Sequence, residues 1–281
     1  MSADDDYCLA QVRQGDRDRY LALLLSPAPA RDALAAIAAF NVELARATTE
    51  TSESTLGLIR LQWWREAIEE IRAGGTTRRH PVVNALSDAT RRHGLSTGRM
   101  LAMIAGKEED VESEGAPSQT AFDARADATA ANLIRLSLEA VGLNPAEPDL
   151  EAASAAVGRV YATAGCMRSV LLDARRRRVR LPSDALTAAG VDLDRLFDLR
   201  PQPALRDSLA AIAAGAEADL DAARRRAIPR RARPITVTAK LAALHLQRFR
   251  RASYDPFDAR VIAAPPFDVW RLLWTAVSGR F

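Results

Sequence analysis

The residues best placed for chemistry are charged ones gathered in a few short stretches. Asp173 precedes Arg175, Arg176, Arg177, Arg178 and Arg180, and Arg168 lies just before it. Guanidinium forks match the oxygens of phosphate or of an anionic headgroup, so this stretch is a candidate anion site. A single carboxylate among several arginines reads as an ion-pair partner rather than a metal ligand. In the run Glu108 to Glu114, Glu109 with Glu112, or Asp110 with Glu114, has the i+3 or i+4 spacing that could hold a cation. The simpler reading is a charged helix end entering a loop. His245 has no Ser, Cys or acid motif to pair with and reads as structural. Cys8 and Cys166 lie far apart without Cys or His spacing around them, which points to neither a disulfide framework nor a zinc site.

These residues need elements to position them, and the pattern is helical throughout. In Arg31 to Ile71, Leu34, Ile37, Asn41 and Leu44 recur on one face with Phe40 beside them. Leu61, Trp64, Ile68 and Ile71 do the same, widened by Trp63 and Ala67. The hydroxyl-rich run Thr48 to Thr55 separates the two, so a helical hairpin is expected. A first helix is expected over Asp16 to Leu25, stopped by Pro27 and Pro29. Pro81 opens a helix that His93-Gly94 closes, and Ser96 and Ser118 cap two more. The second of these threads Ala126, Ala130 and Ala131 before Leu133 to Val141. Later helices are expected over Asp149 to Arg176, Pro203 to Arg226 and Thr236 to Arg251. Near the C-terminus, Phe267, Trp270, Trp274 and Val277 share one face, which could dock on the core or enter a membrane interface. Docking is the commoner fate.

Two of these segments carry a family resemblance. Ala39-Phe40 in a small-residue helix, followed by Arg60-Leu61-Gln62-Trp63-Trp64-Arg65, resembles the squalene/phytoene synthase superfamily. In its active members, carboxylates one helical turn apart hold Mg²⁺, which neutralises the diphosphate of a prenyl substrate. An oxygen-seeking dication needs anionic oxygens on one face. Aligned on Phe40, the positions that should be aspartate are Ala45, Arg46 and Thr49, and Glu50 alone keeps a carboxylate. The second landmark is Asp173 to Pro182. Aligned on Leu181-Pro182, Arg168, Asp173, Arg175, Arg176 and Arg178 match the enzymes. The earlier aspartate is replaced by Ser169, the glycine by Arg177 and the tyrosine by Arg180; the enzymes' Gln and Asn fall on Ala162 and Gly165. Phe40 to Ala45 read Phe-Asn-Val-Glu-Leu-Ala, as in the branch that contains the sixth mitochondrial complex I assembly factor. That resemblance implies the synthase fold without prenyl transfer.

Composition is consistent with this. A chain of 281 residues, 48% of them hydrophobic, can bury a large core in one domain. The expected organisation is a polar N-terminal tail over residues 1–15 and one all-α helical bundle of the isoprenoid-synthase type over 16–281. The net charge is only +3, yet arginines cluster at Arg175 to Arg178, Arg224 to Arg226, Arg230 to Arg233 and Arg248 to Arg251. Such patches suit anionic lipid, diphosphate or an acidic partner, or are simply solvated. Nucleic acid is excluded as a partner because no helix-turn-helix, zinc finger or aromatic RNA-binding signature accompanies the charge. The acidic start is not a secretory signal, and no stretch approaches the ~20 apolar residues of a membrane span. A cytoplasmic location is expected, or a peripheral one on the inner face of the membrane.

The resemblance implies a non-catalytic protein that supports respiratory complex I assembly through contacts with complex I subunits or assembly intermediates. No metal and no cofactor are expected. One alternative is a head-to-head prenyltransferase acting with Mg²⁺ on farnesyl or geranylgeranyl diphosphate. Another is a module that binds a lipid or isoprenoid without chemistry.

Overall fold

The computed structural model describes residues 2–49, 54–75, 78–113, 115–262 and 274–275. Among them there is no strand, and the chain is a bundle of helices. In order these are α1 (Ala3–Gly15), α2 (Arg17–Leu24), α3 (Ala28–Thr49), α4 (Ser54–Ala73), α5 (Pro81–His93), α6 (Thr97–Glu112) and α7 (Gln119–Ala126). A π-helical turn, Asp127–Ala131, leads into α8 (Asn132–Ala140) and the long α9 (Pro148–Arg175). Then come α10 (Ser183–Ala188), α11 (Leu193–Phe197), α12 (Pro203–Arg224), α13 (Arg233–Arg251) and α14 (Ala259–Ile262).

The hydrophobic stripes go where their spacing sends them. Leu34, Ile37, Phe40 and Leu44 of α3 and Leu61, Trp64 and Ile68 of α4 are buried in one core with α1, α5 and α6. Leu205, Leu209, Ala216 and Leu220 of α12 join α9 and α13 in a second core. Helix α8 is the partition, since Leu133 and Leu136 enter the first core while Ile134 and Leu138 enter the second. Side chains three or four apart share a face, so α8 carries two apolar faces, one for each core.

Within the stretch 1–15, read as a polar tail, Ala3–Gly15 forms a helix. Ser2 and Asp5 make a reciprocal capping box, and Asp4, Asp5 and Asp6 occupy the first turn, where the helix dipole favours acids. Cys8 and Val12, one turn apart, are buried against the core that holds α3 and α5. Two apolar residues in a polar stretch suffice because α1 lies on ready-made neighbours.

Three further differences have local causes. The helix expected to run on from Ser118 is interrupted by the π turn. There the Thr129 hydroxyl donates to the Arg125 carbonyl (2.8 Å) and Asn132 Nδ2 to that of Ala128 (3.1 Å). After Pro182, where the sequence reads as a loop, Ser183–Ala188 forms α10. Thr48 and Thr49 finish α3, and Ser54 begins α4, so the break between the hairpin helices is shorter than the hydroxyl run.

Phe267 and Trp270 lie outside the described residues. Trp274 is 73% exposed while Thr275 is buried, so the tryptophan is not docked on the core as expected.

Candidate functional site

Helices α2, α3, α6, α7 and α9 and the π turn surround a cavity of about 830 Å³. One close contact joins two of these wall elements. At Gly158 α9 passes the π turn so closely that a Cβ would lie 2.7 Å from both the Ala131 nitrogen and its Cβ. A second positions the segment after α9. Ala116 and Pro182 form a parallel bridge, and the Ser183 N–H donates to the Ala116 carbonyl (2.9 Å). Gly115, at φ +150°, faces the Val179 carbonyl so tightly that a Cβ would sit 2.2 Å from its oxygen. Arg180 is thereby pinned against the α6–α7 connection.

The residues suggested by sequence separate into distinct places. Ala45 is in the wall contributed by α3, beside Asn41. Arg46 is not; its guanidinium donates to Gln11 and to Glu43 (3.3 Å). Thr49 is the last residue of α3, and Glu50 lies outside the described residues. From α9, Ala162, Gly165, Arg168, Ser169 and Arg175 line the cavity. Arg168 donates to Asp18 on α2 (2.9 Å), and Arg175 makes no ion pair among the described residues. Arg176 and Arg178 lie apart, lining a niche of about 20 Å³ with Arg125, Arg180, Asp110 and Asp173.

Asp173 is buried and is not part of the large cavity's wall. Arg180 closes over it, with Nε to one carboxylate oxygen and Nη2 to the other, each at 3.0 Å. The Ser169 hydroxyl donates to the same carboxylate (2.7 Å) and accepts from Arg180 Nη2 (3.1 Å). Thus the residues found where the family has an aspartate and a tyrosine, Ser169 and Arg180, form one hydrogen-bonded unit around Asp173. A bidentate guanidinium occupies both carboxylate oxygens. Burial pulls the Arg180 pKa down, but Cys166, Asp173 and Asp110 outweigh it and the net shift is upward. Arg177, at the glycine position, adopts φ 53°, because the chain leaves α9 in a Schellman turn with the Arg178 N–H on the Asp173 carbonyl (3.0 Å).

Opposite, Asp110 accepts from Lys107 (3.1 Å) and Arg125 (2.9 Å). Burial alone would raise its pKa, but the charges of Lys107 and Arg125, with Arg180 behind them, hold it below the usual carboxylate range. Glu109 reaches Arg125 at 3.6 Å. Glu114 lies outside the described residues, so the acidic run serves these arginine and lysine contacts. At the α2 end, His245 Nε2 lies 2.6 Å from the Asp18 carboxylate, with Arg168 3.1 Å from the same ring nitrogen. Burial lowers the His245 pKa against the raising effect of Asp18, whose carboxylate is within hydrogen-bond reach of Nε2. Burial would raise Asp18, yet His245 and Arg168 bring it down to about 2. His245 is structural, as its lack of a catalytic motif suggested, but it holds a carboxylate at the cavity's edge. Cys8 and Cys166 are both free, and burial pushes the Cys166 thiol up to about 11, leaving it unreactive in the wall.

The wall therefore carries seven cationic side chains, Arg17, Arg19, Lys107, Arg125, Arg168, Arg175 and Arg180, against the carboxylates Asp16, Asp18 and Asp110. All three carboxylates are engaged, Asp16 by Arg19 at 3.0 Å. Among the described residues no group of three or more His, Cys, Asp or Glu converges. Among the described residues the wall does not fit Mg²⁺: a dication would face fixed positive charge, and each carboxylate in the wall already serves an arginine, lysine or histidine. Lys107 and Arg125 were missed by sequence reasoning. The i+3 spacing of Lys107 and Asp110 was the available signal for the first; nothing local marks the second.

A model of the squalene/phytoene synthase family matches residues 12–277. NADH dehydrogenase (ubiquinone) complex I, assembly factor 6, of Bos taurus is 30% identical over 258 residues, 91% of this chain and 77% of that protein. Among solved structures, a dehydrosqualene synthase superposes with a TM-score of 0.85 at 18% identity, covering 98% of this chain and 96% of that one. Squalene synthase HpnC from Alicyclobacillus acidocaldarius gives 0.78 at 22% identity, covering 90% and 95%. The family model's match along nearly the whole chain, with a bundle that superposes on the synthase structures, makes this protein a member of the squalene/phytoene synthase family.

Proposed function

We propose that this chain is a non-catalytic member of its family that supports the assembly of respiratory complex I through contacts with complex I subunits or assembly intermediates. The observation that carries the reading is the Arg180 clasp on Asp173 and Ser169. It places a fixed cation where the family's chemistry asks for carboxylates facing a metal, and among the described residues the α3 wall offers Asn41 and Ala45. Without clustered acidic oxygens there is no means of drawing diphosphate from a prenyl chain. The assembly role is supported by the relative from Bos taurus, whose name describes a complex I assembly factor and which aligns over most of both chains. No helix among the described residues is long and apolar enough to cross a membrane. Contact with complex I intermediates at a membrane surface would then use exposed groups such as Trp274.

Deleting the gene and measuring NADH:quinone activity and assembled complex I in isolated membranes tests the role. Reduced activity with accumulated subassemblies is expected, and fully assembled, fully active complex I would refute it. Incubating the purified chain with farnesyl or geranylgeranyl diphosphate and Mg²⁺ is expected to release no diphosphate. Sustained release would return the chain to the prenyltransferases.

A further inference from the structure

A dense cluster of charge lies away from the cavity, in the turn between α12 and α13. Residues 222–254 contain no Asp or Glu, while Arg224, Arg225, Arg226, Arg230 and Arg231 are all exposed in or beside that turn. Acids from outside the segment reach two of them, Asp221 to Arg224 at 2.9 Å and Asp149 to Arg226 at 3.6 Å. Arg225, Arg230 and Arg231 make no ion pair among the described residues. Arg230 and Arg231 directly precede α13, where a helix dipole favours acids, and the first turn of α13 holds none. Helix α1 does the opposite, with Asp4, Asp5 and Asp6 in its first turn. The backbone of the turn is fixed: the N–H groups of Arg226, Ile228 and Ala232 donate to the carbonyls of Ala223 (3.1 Å), Arg226 (3.0 Å) and Pro229 (2.8 Å). Ile228 is packed on the second core. The fold thus holds three mutually repelling cations on a set backbone, and their charge works against it.

We infer that the α12–α13 turn is a docking surface for an acidic protein segment, gripped by Arg225, Arg230 and Arg231. Guanidinium forks take carboxylates bidentately, and a backbone already fixed lowers the ordering cost of binding. The surroundings of the turn favour a narrow partner over a sheet of charge. At the start of α9, Glu147 is exposed and Asp149 half-buried, and the pair of Asp149 with Arg226 sets these acids beside the arginines. A flat anionic bilayer would meet those carboxylates together with the arginines, whereas a narrow run of Asp and Glu can reach the arginines alone. The inference rests on the reading of this chain as one that works through protein contacts, and adds to it the face and the chemistry of the partner.

The test uses the purified full chain and a short fluorescent polyglutamate peptide, with binding followed by anisotropy at low salt. R225Q/R230Q/R231Q should weaken binding about tenfold, the sum of three exposed ion pairs. R72Q/R79Q/R92Q removes as much charge from exposed arginines around α4 and α5, and should change binding by less than about twofold. Equal weakening in both triples would reduce binding to net charge, and unchanged binding in the first would remove the turn from it; either overturns the surface. R225Q/R230Q/R231Q should unfold at the parent's urea midpoint or above it, since it relieves repulsion. A lower midpoint would make these arginines structural and overturn the docking role. Vesicles of phosphatidylcholine with phosphatidylglycerol should bind the parent and this triple alike. A matching loss on the vesicles would assign the turn to a membrane surface instead. In cells, R225Q/R230Q/R231Q in place of the parent gene should accumulate the subassemblies expected of the deletion, at a normal level of the chain. Normal complex I in that strain, with the deletion still defective, would overturn the docking surface and leave the assembly role standing. A deletion without defect would remove the assembly role, and the surface with it.

Discussion

On α3 the cavity wall shows Asn41 and Ala45, and the nearby Arg46 turns away to Gln11 and Glu43. On α9 the wall shows Arg168, Ser169 and Arg175, and Asp173 lies behind Arg180. One side shows no carboxylate among the described residues, whereas the other keeps one and fills the space before it with a guanidinium. The first change leaves room and the second leaves charge. A cavity altered on both sides in the first way would be a greasy hole, and one altered in the second way twice would be sealed by ion pairs. Together they give a pocket with an apolar flank and a cationic end, so the two sides must face each other across a fixed gap.

Helix α9 is packed on the π turn at Gly158, and the loss of that contact is the largest effect expected. In Gly158→Ala the new methyl meets backbone atoms of Ala131 at 2.7–2.8 Å, which no rotamer change relieves. A loss of about 3 kcal/mol in urea unfolding is expected, at the upper end for overpacking. If G158A unfolds at the parent's urea midpoint, α9 and the π turn are not rigidly apposed, and the contrast between the two walls loses its meaning.

The next effect concerns the α9 side alone. Arg180→Gln leaves Asp173 buried with only Ser169 as partner, while Asp173→Asn leaves Arg180 still partly solvated and near Asp110. Breaking a fully buried pair costs roughly 3–5 kcal/mol; with Arg180 31% exposed the expected loss in R180Q falls to about 2 kcal/mol. D173N should lose about 1 kcal/mol, a hydrogen-bond-sized change. Matching losses would mean that the arginine carries no more of the clasp than the acid does, and that Asp173 is not trapped behind it.

The difference between the two walls was half visible in the sequence. The resemblance, aligned on Phe40 and on Leu181-Pro182, led to the expectation of missing acids, and periodicity correctly placed α3, α4 and α12. Caps were equally readable where chemistry is local: Pro81 opens α5, Gly94 takes the left-handed conformation, and Ser96 and Ser118 accept from the N–H groups of Arg99 and Ala121. What replaced the acids was not readable. Arg180 reaches Asp173 across the turn that ends α9, so its direction is a matter of backbone path and not of sequence spacing. Helix α1 was hidden for a related reason, since its two buried residues count for little until α3 and α5 exist to cover them.

Acid should act on the cavity's α2 end next. Asp18 falls from its ordinary 3.8 to about 2, so its contribution is complete above pH 4 and disappears as pH falls through about 2. It should be worth on the order of 2 kcal/mol. His245 is lowered, so the unfolded chain takes up its proton first, and stability starts to decline as pH falls through 6.5. In Asp18→Asn the limb between pH 4 and 2 should vanish. The decline near 6.5 should steepen, because Arg168 and Arg248 then face the imidazolium unopposed. Chemical unfolding across pH 2–8 would check both limbs, and an unchanged profile in D18N would detach α2 from the pocket's electrostatics.

The smallest effect asks whether the α9 side gave anything up in becoming cationic. Arg177 holds φ 53° where the family pattern has glycine, a conformation that costs an L-residue roughly 1–2 kcal/mol. Arg177→Gly removes that strain but lets the unfolded chain roam, which returns about 0.5–1 kcal/mol. It also deletes the guanidinium stacked 4.8 Å from the Phe197 ring centroid, a contact worth roughly 0.5–1 kcal/mol at such an exposed place. The 3.4 Å pair with Asp194 is open to solvent and adds almost nothing. The terms nearly cancel, so R177G should unfold within about 0.5 kcal/mol of the parent. A gain well beyond that would mean the arginine is kept at a real cost in stability. Its charge at the α9 end would then be needed for something outside the folded chain, and the cationic side of the pocket would extend to the surface.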